Sequence, residues 1–396
     1  MTTIMKKTLR DVDVEGKKVL VRVDFNVPLD KNGRVADDTR IRGALPTIQY
    51  LLDHGARPIL MSHLGRPRGQ VVESLRMGPV GKRLQKLLSY PVVYVREIVG
   101  PGVKKAVEEN PKAIILLENL RFHPGERENL PELSRQMARL ADVYVNDAFG
   151  TSHRAHASTV GVAAYLPALM GLLMEKELET LGGLLEDPAR PFVVLLGGNK
   201  VSDKLGVIDS FLEIADTILT GGGMCFTLIK SMGLEIGQSV VEEDQLRQIT
   251  SVLKKARKKG VKIVVPSDFM IADRFDKKAN HKLVPAESIP PDWMGLDVGP
   301  VTVEKYCTFI KEAKTVFWNG PMGVFEWHAF SKGTRGIANC IADTEAVSVV
   351  GGGDSDAALR QFDLEDKMDF VSTGGGAAMR LLEGKKLPAV EALMDG

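Results

Sequence analysis

Arginines, one histidine and a few amide and carboxyl groups recur at the ends of short apolar runs in the first half of the chain. Arg22, Asp24 and Asn26 close the run at 17–23, and Ser62, His63 and Arg66 follow the one at 57–62. Glu118, Asn119 and Arg121 follow 113–117. Asn146 and Asp147 follow 142–146, with His153, Arg154 and His156 shortly beyond. Arg40 opens a helix-like segment after a turn at Asn32-Gly33. A guanidinium fork makes paired bonds to phosphate or carboxylate. One arginine so placed reads as a surface ion pair, whereas several strand ends of one kind read as an anion site. In open parallel sheets ligands bind beyond the carboxyl ends of the strands.

In the second half the run ends are glycine-rich: Gly197-Gly198-Asn199-Lys200, Gly221-Gly222-Gly223, Asn319-Gly320-Pro321-Met322-Gly323, Gly351-Gly352-Gly353-Asp354-Ser355 and Thr373-Gly374-Gly375-Gly376. Glycine lets backbone N–H groups approach a phosphate, and a following helix N-terminus adds its dipole. Five such turns point to a nucleotide site. The P-loop motif is missing: Gly81-Lys82 has Arg76 where its first glycine belongs and Arg83 where Ser or Thr belongs. The dinucleotide motif is missing too, since Asp356 stands in its last place. His153 and His156 have no carboxylate or thiolate close by to complete a metal site. Asp354 suits Mg²⁺, which takes one or two carboxylates plus substrate phosphates; it suits a helix N-cap equally well.

These ends have to be held by strands and helices. Continuous apolar runs, at 17–23, 57–62, 92–95, 113–117 and 142–146 and then at 192–197, 216–219, 262–265, 315–318, 347–350 and 370–372, suit strands buried on both faces. Helix-like segments lie between them, at 40–54, 79–89, 131–140, 203–214, 243–259 and 332–342. The expectation is an α/β chain with two doubly wound parallel-sheet (Rossmann-like) domains facing a central cleft, joined by a hinge helix. The first domain is expected at 1–173, the helix at 174–186 and the second domain at 187–378. Residues 379–396 are expected to pack back on the first domain.

The 396 residues are 44% hydrophobic and 26% charged, with 39 glycines and 20 prolines, which excludes disordered and collagen-like classes. The net charge is +1, so no overall excess points to nucleic acid or membrane. Residues 1–186 carry 27 Lys/Arg against 22 Asp/Glu, and the rest carry 25 against 29, consistent with a first half that receives an anion. Cys225, Cys307 and Cys340 are far apart and in no CxxC pair, so neither a disulfide scaffold nor a zinc site is expected, and the chain reads as cytoplasmic. The start, 1–10, has no apolar leader core. The uncharged stretch 157–174 is broken by Gly and Pro and reads as buried connection, not a membrane span.

The motifs resemble those of phosphoglycerate kinase of the bacterial type. They are Arg22-Val-Asp-Phe-Asn-Val-Pro28, Ser62-His-Leu-Gly-Arg-Pro67, Leu117-Glu-Asn-Leu-Arg-Phe122, Asn146-Asp-Ala-Phe-Gly150, His153-Arg-Ala-His-Ala-Ser158, Gly197-Gly-Asn-Lys-Val-Ser-Asp-Lys204, Trp318-Asn-Gly-Pro-Met-Gly-Val-Phe-Glu326, Gly352-Gly-Asp-Ser355 and Ser372-Thr-Gly-Gly-Gly376. They stand in family order. The resemblance implies reversible, Mg²⁺-dependent phosphoryl transfer between ATP and the carboxylate of 3-phosphoglycerate, giving ADP and 1,3-bisphosphoglycerate. It implies that Asp24, Asn26, Arg40, His63, Arg66, Arg121 and Arg154 hold the acid, with Arg40 at the reacting carboxylate. It implies a nucleotide against Gly197, Gly198, Gly221, Gly222, Gly295, Asn319, Pro321, Glu326, Gly352, Gly353 and Ser355, with Lys204 on its phosphates and Asp354 on Mg²⁺. Lys200 and the N–H groups of Gly374, Gly375 and Gly376 would steady the phosphoryl group in flight. A monomer, with no nucleic-acid or membrane partner, is the family expectation. Asn199, Gly351 and Asp356 depart from the usual family residues.

The implied chemistry agrees with the residues. Phosphoryl transfer needs positioning and charge neutralisation more than covalent help. A carboxylate acceptor is already ionised at pH 7, so no general base is required. Two other readings are a dinucleotide-fold dehydrogenase, which the missing glycine motif opposes, and a nucleic-acid binder. Aromatic residues are only 6% and no recognition module is seen, which opposes the second.

Overall fold

Residues 6–396 are described by a computed structural model; residues 1–5, the start of the expected first domain and half of the 1–10 segment, lie outside the described residues. The chain divides into two units. The first comprises 6–182 and 385–396 of the described residues, and the second 183–384.

In the first unit the uninterrupted Val, Ile and Leu runs form β1 (Lys18–Val23), β2 (Arg57–Met61), β3 (Val92–Tyr94), β4 (Ile114–Leu116), β5 (Val143–Asp147) and β6 (Ala168–Met170). They pair, all parallel, in the order β3-β4-β2-β1-β5-β6. Arg22 is in register with Met61 on one side and Asn146 on the other, so the polar residues after β1, β2 and β5 reach one edge. The helices are α1 (Thr39–Asp53), α2 (Gly78–Leu88), α3 (Pro101–Glu109), α4 (Pro124–Arg127), α5 (Pro131–Ala138) and α6 (Leu172–Glu186). In α1 the buried Ile41, Ala44, Ile48 and Leu51 fall at helical spacing and meet Val19, Val21 and Leu60 of the sheet. Each large apolar side chain so buried contributes about 1.5–3 kcal/mol.

The second unit contains β7 (Phe192–Leu196), β8 (Thr217–Thr220), β9 (Lys262–Val264), β10 (Asp268–Ala272), β11 (His281–Pro285), β12 (Met294–Val298), β13 (Thr315–Asn319), β14 (Val347–Gly351) and β15 (Phe370–Val371). Six form a parallel sheet, β15-β14-β13-β7-β8-β9. The other three form an antiparallel sheet, β11-β10-β12. Its helices are α7 (Leu205–Phe211), α8 (Met224–Ser231), α9 (Leu246–Lys259), α10 (Pro300–Glu312), α11 (Lys332–Ala342), α12 (Gly353–Gln361) and α13 (Gly376–Leu382). In α9, Ile249, Val252 and Ala256 are buried, and Gly260 ends the helix at a positive φ of 74° that glycine takes without strain. A last helix, α14 (Pro388–Glu391), belongs to the first unit: Ala389 N–H donates to the Ser152 carbonyl and Met394 N–H to that of Ala168.

Three features differ from the sequence expectations. The antiparallel sheet was not expected, because β11 is largely exposed and no run of buried apolar residues marks it. The linking helix starts at Leu172, and the division between units falls at Gly182-Gly183 inside it. Cys307 and Cys340 form a disulfide, with Cα atoms 5.7 Å apart. They lie on α10 and α11, which pack side by side although 33 residues separate the cysteines. No helix among the described residues is long and apolar enough to cross a membrane.

Candidate active site

The acid-binding candidates belong to the first unit. The backbone leaves β1 at Val23, and Asp24 and Asn26 follow at once. Asn26 accepts the Gly65 N–H at 2.8 Å, which fixes the loop carrying His63 and Arg66. Arg40, in the first turn of α1, donates to Asp24 Oδ2 at 2.5 Å. Arg121 donates to the Gly65 carbonyl at 2.6 Å, and Arg154 Nε meets His153 Nε2 at 3.0 Å. A cavity of about 350 Å³ is lined by Arg66, Arg68, Arg121, Arg127, Arg154 and His156. Among the described residues Arg66, Arg68, Arg121, Arg127 and Arg154 make no ion pair. Five guanidinium groups around one cavity, none with an ion pair among the described residues, suit it chemically to a polyanion.

Burial shapes the electrostatics. It pushes Arg121 down to about 10, helped by the charges of Arg22 and Arg154. Burial, with Arg22, Arg121, Arg40 and Arg154 next, holds His63 well below the ordinary imidazole range, so the ring is neutral. Burial would raise the Glu126 carboxyl, but the His156 bond, the Arg22 charge and Ser158 together keep it below the usual range.

The glycine-rich ends of the second unit surround a cavity of about 430 Å³. Of the expected nucleotide residues, Gly198, Gly222, Gly295, Pro321, Glu326 and Asp354 line it, with Asn199 beside them. Gly197 and Gly222 are glycine because backbone passes close by. A Cβ on Gly197 would lie 2.2 Å from the Pro321 carbonyl oxygen, and one on Gly222, at a φ of 62°, 2.5 Å from that of Gly198. A Cβ on Gly221 would meet the Met322 side chain, its sulfur 2.4 Å away. Lys204 Nζ donates to Asn319 Oδ1, and burial lowers its pKa. Ser355 is fully buried and accepts the Gly320 N–H at 2.6 Å, so it holds the loop after β13. Gly352 is the N-cap of α12 and Gly353 its first residue.

Lys200 is exposed in the loop after β7 and has no hydrogen bond or ion pair among the described residues. Gly374 donates its N–H to Ser372 Oγ at 3.1 Å, Gly375 caps α13 at a φ of 49°, and Gly376 begins it. Asp354 occupies the first turn of α12, not its cap, and makes no capping bond. It is exposed and lines the cavity, with the Lys204 charge near enough to feel it. A single carboxylate suits Mg²⁺ shared with a substrate. No group of three metal-ligating side chains occurs among the described residues.

Sequence reasoning missed several cavity residues. Arg68 stands two positions after Arg66, a signal available but unused; Arg127 carries none. Phe226, Val240, Phe269 and Phe275 give the second cavity an apolar wall. Phe269 belongs to the unexpected antiparallel sheet, and Phe275 follows its first strand, β10. Asp297, on β12, also lines this cavity; it accepts the N–H groups of Gly333 and Val298, and burial raises its pKa well above the carboxylate range. Asp356 pairs with Arg360 one turn on, which accounts for its tolerance on α12.

A parallel α/β unit with an arginine-lined cavity, followed by one with a glycine-lined cavity, defines a two-unit phosphotransferase acting on an anionic acceptor. The phosphoglycerate kinase family model matches residues 9–385. The chain is 54% identical over 390 residues to the phosphoglycerate kinase of Rubrobacter xylanophilus, covering 98% of each, and 53% identical over 391 residues to that of Moorella thermoacetica, covering 98% of this chain and 99% of the other. Among solved structures, phosphoglycerate kinase from Coxiella burnetii superposes with a TM-score of 0.87 at 40% identity, and that from Pyrococcus horikoshii with 0.84 at 32%, each over 98% of both chains. The chain belongs to the phosphoglycerate kinase family. It is a kinase that transfers a phosphoryl group between ATP and the carboxylate of 3-phosphoglycerate in glycolysis.

Proposed function

We propose that the two substrates divide between the two units. The first holds 3-phosphoglycerate through Asp24, Asn26, Arg40, His63, Arg66, Arg121 and Arg154; the second holds the nucleotide against the glycine-rich ends. The observation that carries this is the cavity lined by five arginines, none of them ion-paired among the described residues. Arg68 and Arg127 add to the field that draws the acid in. Arg40, held by Asp24, meets the reacting carboxylate, and the other guanidinium groups take the phosphate end.

On the second unit, Glu326 takes the ribose and Lys204 the phosphates. Asn319 positions Lys204, and Ser355 shapes the turn that the nucleotide crosses. Asp354 would hold Mg²⁺, which neutralises phosphate charge when bound. Lys200 and the N–H groups of Gly374, Gly375 and Gly376 steady the negative charge on the moving phosphoryl group. The acceptor carboxylate is ionised at neutral pH, so no side chain has to remove a proton. In-line transfer needs the reacting atoms about 3–3.5 Å apart, and the substrates start on separate units. Closure once both have bound is therefore part of the proposal, and it excludes water that would hydrolyse ATP. A cytoplasmic monomer is the setting we propose, from the glycolytic role of the family.

The full chain incubated with Mg²⁺, ATP and 3-phosphoglycerate plus hydroxylamine tests this reading. An acyl phosphate product is trapped as a hydroxamate, and its formation is expected only with Mg²⁺ and both substrates present and not in the Arg66→Ala, Arg154→Ala double variant. Hydroxamate formation at the normal rate in that variant overturns the division of sites.

A further inference from the structure

Behind the acid-binding residues runs a chain of buried polar groups whose hydrogen bonds have a fixed direction. Glu126 Oε1 accepts the Ser158 hydroxyl at 2.6 Å, and its Oε2 accepts the Ser158 N–H at 3.0 Å. Ser158 Oγ accepts from Arg22 Nε at 2.9 Å, and Arg22 Nη2 lies 3.0 Å from His63 Nδ1. Glu126 and Ser158 are wholly buried, Arg22 is 1% exposed and His63 3%. A guanidinium has five donors, no acceptor and no means of losing its proton. Nδ1 of His63 must therefore present its lone pair. An imidazolium would set N–H against N–H, so the ring is neutral and its proton sits on Nε2.

We propose that Glu126, Ser158 and Arg22 are positioning residues that lock His63 as the Nε2–H tautomer, a fixed hydrogen-bond donor to the anionic acid substrate. The proposal rests on the assignment of that substrate to the first unit. The charged groups around the ring agree with it. Asp24 Oδ1, 3.8 Å from Nδ1, favours a cation, while Arg22, Arg121, Arg40 and Arg154 oppose one. His156 Nδ1 lies 3.7 Å from Glu126 Oε1, at the far end of the relay. A histidine so held donates equally at pH 5.5 and pH 8, which an ordinary imidazole with a pKa of about 6.5 cannot do.

Nitrogen-15 NMR of the histidine rings in the ligand-free full-length protein, with His63 assigned by His63→Gln, tests the relay. The expected spectrum has an unprotonated Nδ1, a protonated Nε2 and no titration between pH 5.5 and 8. A proton on Nδ1, or titration near 6.5, overturns the proposal. Ser158→Ala breaks the relay at its smallest joint and should raise KM for 3-phosphoglycerate about fivefold, the factor of one hydrogen bond, with KM for ATP unchanged. An unchanged KM for the acid in a folded Ser158→Ala protein overturns it as well, and the ring spectrum decides alone if that variant does not fold. The spectrum involves no substrate, so the two failures are separable. Normal 3-phosphoglycerate binding by His63→Ala, which has no donor, would overturn the substrate assignment, and the role of the donor with it.

Discussion

Arg40 Nη1 donates to Asp24 Oδ2 at 2.5 Å, so the guanidinium assigned to the reacting carboxylate is held by a carboxylate of its own unit before substrate arrives. Asp24 is nearly buried while the Arg40 side chain is 37% exposed, which leaves its remaining donors for a ligand. Positioning of this kind lowers the cost of organising charge during transfer. Asp24→Ala is expected to lower kcat roughly tenfold, the weight of a charged hydrogen bond. In a double-mutant cycle it should cost little more once Arg40 is already alanine. Independent, multiplying effects would show that Asp24 acts elsewhere.

Lys200 is exposed and without a partner among the described residues, which a purely structural lysine has no need to be. Lys200→Ala is expected to lower turnover by about 10²-fold, the scale of one lost transition-state donor, with ADP affinity almost unchanged. Steady-state rates with a parallel ADP titration check this, and near-normal turnover refutes the role.

Asp354 makes no cap bond to α12. Asp354→Ala should therefore cost little stability and shift the Mg²⁺ dependence of the rate to higher concentration. A metal titration of the rate beside a thermal melt separates the roles: a loss of about 1 kcal/mol with unchanged metal dependence would mark a capping residue instead.

Asp147 accepts the N–H groups of Leu173 and Met174 in the first turn of α6, and burial pushes its carboxyl up to about 7 from the ordinary 3.8. Between those values the folded protein keeps a proton that the unfolded chain has lost. Stability from this group therefore falls as pH rises from about 4 to about 7, by a few kcal/mol at most. Asp147→Asn keeps an acceptor oxygen and cannot ionise, so it should gain on the parent steadily across that range. Urea unfolding at pH 5 and pH 8 measures this, and equal pH dependence of the two proteins would contradict it.

The parallel sheets were legible because β1, β5, β7 and β13 are buried almost throughout, leaving apolar runs that few other structures produce. Helix 332–342 was legible from its spacing, with Thr334, Ile337, Ala338 and Ile341 turned inward. The sheet of β10, β11 and β12 was not, because His281–Pro285 is mostly exposed and pairs on one side only. With it went Phe269 and Phe275 of the second-unit cavity. Contacts between distant residues were equally hidden. Lys204 and Asn319 meet across 115 positions, Ser355 supports Gly320 across 35, and Cys307 joins Cys340 across 33. Residue types at strand ends carry the ligand proposed for each unit; which of those residues brace a neighbour is a matter of packing.

The division of substrates between units is tested most directly by steady-state kinetics of Arg66→Ala. Arg66 lines the first-unit cavity, has no ion-pair partner among the described residues and stands in the loop after β2, so its loss should disturb little else. The account predicts that KM for 3-phosphoglycerate rises by roughly ten- to a hundredfold, the range of a charged hydrogen bond, while KM for ATP stays within about twofold. A raised KM for ATP with an unaltered KM for 3-phosphoglycerate would contradict it and assign the two units the other way round.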